Sequence, residues 1–124
     1  MEIDNPEVLA EVAAEFARYE RALIDNDVAA LDRFFWNDPR ALRYGTGENL
    51  YGHAAIAAFR AVRAADTRPR DIPRQEIHTF GRDYAVANIE FTRPGMTRIG
   101  RQTQTWVRTA EGWRIVAAHV SLMG

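Results

Sequence analysis

The chain has 124 residues and a net charge of −1, with 47% apolar, 27% charged and 10% aromatic residues. That is enough for one domain with a buried core and too little for two, and it is far too apolar for a disordered chain. The charge balance argues against general nucleic-acid binding; no apolar run approaches the ~18 residues of a membrane-spanning helix, and without cysteine there is no disulfide or thiol chemistry.

The N-terminus, Met1 to Asn5, lacks the basic and apolar regions of a signal peptide, so a cytoplasmic location is expected. Asn5-Pro6-Glu7 opens the first helix with a cap residue, a proline at the first helical position and an acid in the first turn. Val8, Val12, Phe16, Leu23 and Ile24 recur near the helical period, which predicts a helix over roughly 6–25 with Tyr19 on its buried stripe. Asp25-Asn26-Asp27 ends it and caps a second helix over roughly 28–36. A short strand, Ala41 to Tyr44, a Gly45/Gly47 turn and a second short segment, Glu48 to Tyr51, follow. An Ala-rich helix over about 53–65 carries Ile56, Phe59 and Val62 on one side, with Arg60 and Arg63 beside them. The rest reads as four strands joined by hairpins at Gly81-Arg82-Asp83, Pro94-Gly95 and Ala110-Glu111-Gly112.

This order predicts a single α+β domain over residues 1–124. A curved, mainly antiparallel sheet of about five or six strands would wrap as a conical barrel around three helices and leave one cavity. Strand parity divides the sheet into two faces. With a two-residue turn at Pro94-Gly95 and a bulge at Gly112, one face collects Asn88, Glu90, Arg101, Thr103, His119 and Ser121 above Val107, Trp113 and Ile115. The other collects Ala87, Ile89, Phe91, Trp106, Val116, Ala118, Val120 and Leu122, with Gln102 and Gln104 among them. The first face is assigned to the cavity. The second, too apolar to stay bare, is assigned to a homodimer contact on the outer side of the sheet. A slip of one residue would invert the assignment.

The motifs exclude more than they establish. His53, His78 and His119 are scattered without metal-ligand spacing, so no metal or other cofactor is expected. Ser121 is the only serine and lacks a nucleophile-elbow sequence. All 16 basic residues are arginine, which removes Schiff-base chemistry, a lysine base and a phosphate-loop lysine. Genomic bias accounts for most of those arginines, and the useful question is which few point inward. Arg43 has opposite parity to Leu42 and Tyr44, which aims it at the cavity mouth or at water; a surface ion pair with Glu48 is the plain alternative. A guanidinium there would bind a carboxylate in bidentate fashion and keep its charge. Tyr19 would bring a phenol beside it, or simply pack in the core. His119, by its residue type alone, reads as a satisfied core histidine.

Taken together, the element order and the ending from Gly112 to Ser121 resemble the nuclear transport factor 2-like (SnoaL-like, cystatin-related) superfamily. Phe34-Phe35-Trp36, Arg43-Tyr44-Gly45-x-Gly47-Glu48-x-Leu50-Tyr51-Gly52, Ile56-x-x-Phe59-Arg60-x-x-Arg63 and Gly100-Arg101-Gln102-x-Gln104-Thr105-Trp106 narrow this to the AtzH-like family, which includes HpxZ. The resemblance implies a dimeric, metal-independent protein of bacterial nitrogen catabolism acting beside an amidase. It further implies an amidohydrolase of the kind that converts 1,3-dicarboxyurea to allophanate, with Tyr19 and Arg43 as the catalytic pair. Oxalurate-linked members imply a different substrate, and fold alone does not guarantee catalysis. The expectation is therefore an enzyme acting on a small anionic N-carboxylated urea or ureide, with Arg101, His119, Asn88 and Arg63 in substrate binding. Its rivals are a non-catalytic accessory protein of a ureide amidase, and an isomerase or cyclase using Glu90 as base.

Overall fold

The computed structural model describes residues 1–124. Helix α1 spans Pro6–Asp25, α2 Val28–Phe34 and α3 His53–Val62. The strands are β1 (Leu42–Tyr44), β2 (Asn49–Tyr51), β3 (Asp71–Phe80), β4 (Tyr84–Thr92), β5 (Gly100–Thr109) and β6 (Gly112–Leu122). No helix is long and apolar enough to cross a membrane.

Local chemistry accounts for the helix ends. The Asn5 side chain accepts from the backbone N–H groups of Glu7 and Val8, and Asn26 ends α1 in the left-handed conformation (φ 49°). Asp27 caps α2 by accepting from the Ala30 N–H at 3.1 Å. Along α1 the buried residues are Val8, Val12, Phe16, Tyr19 and Ala22, a single stripe at helical spacing. Helix α3 stops three residues earlier than its periodicity suggests. Val62 is 83% exposed, and the buried stripe runs through Ile56 and Arg60 instead. Asp32 of α2 offsets the Arg60 charge from 3.4 Å, an ion pair without a hydrogen bond.

The six strands form one curved, open sheet in the order β2-β1-β6-β5-β4-β3. Neighbours are antiparallel except β1 and β6, which run parallel. The helices cover the concave face, making the expected α+β fold. Ala85, Ala87, Ile89 and Phe91 of β4 point inward, as do Gln102, Gln104 and Trp106 of β5. Together with the α1 stripe, Leu31, Phe35 and Ile56 they form the core; each large apolar side chain so buried contributes about 1.5–3 kcal/mol. Gly100 faces Phe91 across the ladder, where an added Cβ would fall 2.3 Å from Cζ of the ring, so only glycine lets that phenyl lie flat on the strand.

The sheet corrects the assignment of faces. The extra residue expected at Gly112 is inserted four positions later. Thr109 pairs with Gly112 and Trp106 with Ile115, but Thr105 pairs with Ala117, leaving Val116 as a bulge. Trp113 and Ile115 consequently join Trp106 on the inner face, and so does Ala118 beyond the bulge. The grouping of Asn88, Glu90, Arg101, Thr103, His119 and Ser121 on one face is as expected, but that face is the outer one: of the apolar base assigned beneath it, Trp113 and Ile115 belong to the other side and only Val107 stays with it. The apolar set assigned to a dimer contact forms the core and the cavity wall, apart from Val116 in the bulge. The β4–β5 connection is also longer than a two-residue turn, and Arg101 sits opposite Glu90 rather than Asn88.

Candidate functional site

Between the inner face of the sheet, α1 and α3 lies a cavity of about 390 Å³, within the usual size range of small-molecule sites. Its apolar wall includes Leu23, Phe59, Phe91, Met96, Val120 and Leu122. Five arginines line it, Arg43, Arg63, Arg68, Arg70 and Arg93, against two carboxylates, Glu48 and Asp66.

At one end Arg43 and Arg63 both lie over the Phe59 ring, with guanidinium carbons 5.8 and 5.5 Å from its centroid. Arg43 is largely buried and donates to Glu48 Oε1 at 2.8 Å. Glu48 also accepts from the Gly47 N–H at 3.2 Å. This folded-back carboxylate depends on Gly45, where an added Cβ would fall 1.7 Å from Glu48 Oε1. Tyr19 is 5% exposed, lines the same cavity and packs edge-on against Phe34 at 5.7 Å. Arg63 forms no ion pair. Desolvation against the cavity wall and the nearby charges of Arg43 and Arg60 lower its pKa from the ordinary value, whereas Tyr19 and Glu48 oppose that shift.

At the other end Arg70 and Arg93 flank Phe91 at 4.5 and 5.5 Å. Arg70 is almost wholly buried and paired through two nitrogens with Glu20, while its third nitrogen donates to Gln102 Oε1 at 3.1 Å. Arg93 is 3.6 Å from Asp66, whose carboxylate is already engaged by Arg68. The Arg68 hydrogen bonds hold the Asp66 carboxyl well below the usual carboxylate range. Burial, then the neighbouring Arg70 charge, lower the pKa of Arg93. Between these groups, Gln104 is fixed by accepting from the Trp106 indole N–H at 3.1 Å.

Of the residues selected from sequence, Tyr19, Arg43 and Arg63 come together in the cavity. Asn88, Arg101 and His119 do not, since they lie on the outer face for the reason given by the Val116 bulge. There Asn88 accepts from Thr103 Oγ1 at 2.7 Å, Arg101 is exposed opposite Glu90, and His119 packs on Tyr44 at 5.5 Å. Glu90 shares that face and is removed from the cavity with them. No group of three or more histidine, aspartate or glutamate side chains is arranged to hold a metal ion. Sequence reasoning missed Arg70, Arg93 and Gln102. The available signal was Gln102 and Gln104 alternating with Trp106, amides on an otherwise apolar strand face, which is the pattern that marks a lined pocket. Arg70 and Arg93 sit where no hydrophobic period reads them.

The model of the AtzH-like family matches residues 1–124. No curated protein matches the sequence. Among solved structures, a protein of unknown function from the DUF3225 family of Pectobacterium atrosepticum is 56% identical, covering 98% of this chain and 95% of its own, with a TM-score of 0.95. A cystatin-like fold protein from Burkholderia xenovorans is 44% identical over 100% of this chain and 98% of its own, with a TM-score of 0.96. A nuclear transport factor 2-like superfamily protein from Salmonella enterica, 22% identical over 96% of this chain and 93% of its own, shares the fold at a TM-score of 0.79.

Proposed function

The chain belongs to the AtzH-like family, and from that premise we propose that it is an amidohydrolase acting on a small anionic N-carboxylated urea or ureide. The observation that carries this reading is the meeting of a tyrosine and an arginine, Tyr19 and Arg43, in a cavity with more guanidinium groups than carboxylates.

Arg43 binds the carboxylate that is to leave. Its resting partner Glu48 must share or yield the guanidinium, a replacement of one carboxylate by another that preserves the hydrogen bond. Arg63, without an ionic partner, adds fixed positive potential where negative charge builds up on the reacting carbon's oxygens. Water adds its hydroxyl to that carbon, the C–N electron pair goes to nitrogen, and a proton reaches the nitrogen through the Tyr19 hydroxyl. The products are bicarbonate and the shortened ureide. The apolar wall of Phe59 and Leu23 keeps the site's dielectric low, which strengthens each of these interactions.

The test is steady-state turnover of N-carboxylated ureides and oxalurate by wild type, Tyr19→Phe and Arg43→Ala. Each variant is expected to lose about 10²–10³-fold in kcat/KM. Wild-type rates in both would remove the assignment. Ureide binding without turnover, together with co-purification of an amidase, would instead make the chain an accessory binding protein for that enzyme.

A further inference from the structure

The end of the cavity around Phe91 takes no part in the chemistry just described, yet it is the more elaborately built. Arg70 donates inward from all three of its nitrogens, to Glu20 and to Gln102 Oε1. That bond fixes which way the Gln102 amide points, with the oxygen to Arg70 and the NH2 turned away. Gln102 is 4% exposed and lines the cavity, and its Nε2 has no hydrogen-bond partner. The Arg93 Nε is likewise buried without a hydrogen-bond partner: the oxygen of its ion pair, Asp66 Oδ2, lies 3.6 Å away and already accepts from Arg68. Unpartnered buried donors carry a desolvation cost that natural interiors avoid. Two of them beside one aromatic ring in a cavity wall call for an acceptor. Counting the ionic partners, three guanidiniums here (Arg68, Arg70, Arg93) face two carboxylates (Glu20, Asp66). At the Tyr19 end two (Arg43, Arg63) face one, Glu48. Each end therefore has one cation in excess.

We propose that Arg93 and Gln102 form a second anion-binding pole, which holds the far carboxylate of a two-ended dianionic ligand whose near carboxylate sits on Arg43. Arg93 supplies the charge, the Gln102 amide donates to one carboxylate oxygen, and Arg70 acts as a positioning residue by orienting that amide. Phe59 and Phe91 line the apolar middle. A ligand with a single carboxylate leaves one pole's donors unfilled, so the two poles together select for dianions.

The inference rests on reading this cavity as the ureide site, but its test needs no turnover. Isothermal titration of the intact protein with malonate, succinate and glutarate is compared with acetate and propionate. Wild type is expected to bind at least one dicarboxylate about tenfold or more tightly than either monocarboxylate. In Arg93→Ala that preference should fall about tenfold, and in Gln102→Leu about threefold, with acetate binding at Arg43 changed less than about twofold. Arg93→Lys, which keeps the charge, should restore part of the preference, and thermal unfolding of each variant checks that it is folded. The proposal is overturned if wild type does not prefer dicarboxylates, or if folded Arg93→Ala and Gln102→Leu both retain the preference. A dicarboxylate preference in a protein that hydrolyses no ureide would overturn the proposed activity and leave the second pole standing.

Discussion

The two faces of the sheet treat their polar groups in opposite ways. On the outer face polar side chains sit in pairs at the surface: Thr103 with Asn88, Arg101 across from Glu90, His119 against Tyr44. On the inner face and the helices above it, guanidiniums crowd together, and Arg63 has no ionic partner while Gln102 keeps an unused donor. Water satisfies the first set, so its polarity carries no functional information. In the second, Gln102 Nε2 and Arg93 Nε are buried without a hydrogen-bond partner, and there the missing partner points to a ligand.

Four measurements would break or sharpen that contrast. Trp106→Ala, on the inner face at 0% exposure, should cost about 3–5 kcal/mol by chemical denaturation; Thr103→Ala, directly outside, should cost less than about 1 kcal/mol. Gly45→Ala pushes the Glu48 carboxylate off Arg43 while moving only the tip of a flexible side chain. Acetate should then bind about three- to tenfold more tightly with little change in Tm, because a competing anion has been removed; unchanged affinity would show that Glu48 does not compete for Arg43. A smaller effect concerns His78, whose pKa is raised by the hydrogen bonds its ring donates to the Asp4 carboxylate and then to that of Glu76. Its contribution is fully present below the ordinary histidine value of 6.5 and lost as pH rises through the raised one. The stability advantage of wild type over His78→Gln should accordingly be larger at pH 6 than at pH 8.5. Smallest of all, Arg101→Ala and His119→Ala should shift stability by no more than about 0.5 kcal/mol and leave turnover within about twofold. A large loss of turnover in either would return the outer face to the site.

Elements with a strong period and a capping residue were legible. Asn5-Pro6 and Asp27 mark the helix starts within a residue, and the grouping of β4 and β5 side chains by face follows from simple alternation. Long-range choices were not. Which face turns inward depends on where one extra residue enters β6, and Gly112, in a turn at φ 110°, is a more familiar place for it than Val116. At the site, Tyr19 was readable because it lies in an α1 stripe and Arg43 because its strand neighbours are apolar. Arg70 and Arg93 lie before β3 and after β4, where no alternation extends, and only the folded chain brings them to Phe91.

The Val116 bulge has a consequence for how this protein can change. It acts as a phase shifter within one strand. Residues before it, Trp113 and Ile115, answer to the core beneath α1 and α2, while those after it, Ala118, Val120 and Leu122, answer to the ligand. Deleting that single residue would leave a regular ladder, Trp106 opposite Ile115 and Thr105 opposite Ala117, with Ala118, Val120 and Leu122 still turned to the cavity. Straightening the bulge with Val116 kept in the ladder is what would turn the residues after it over and present His119 and Ser121 to the cavity. The bulge thus sets which side chains of β6 line the cavity, and losing one residue at that point would remove a local kink while leaving the cavity wall in place.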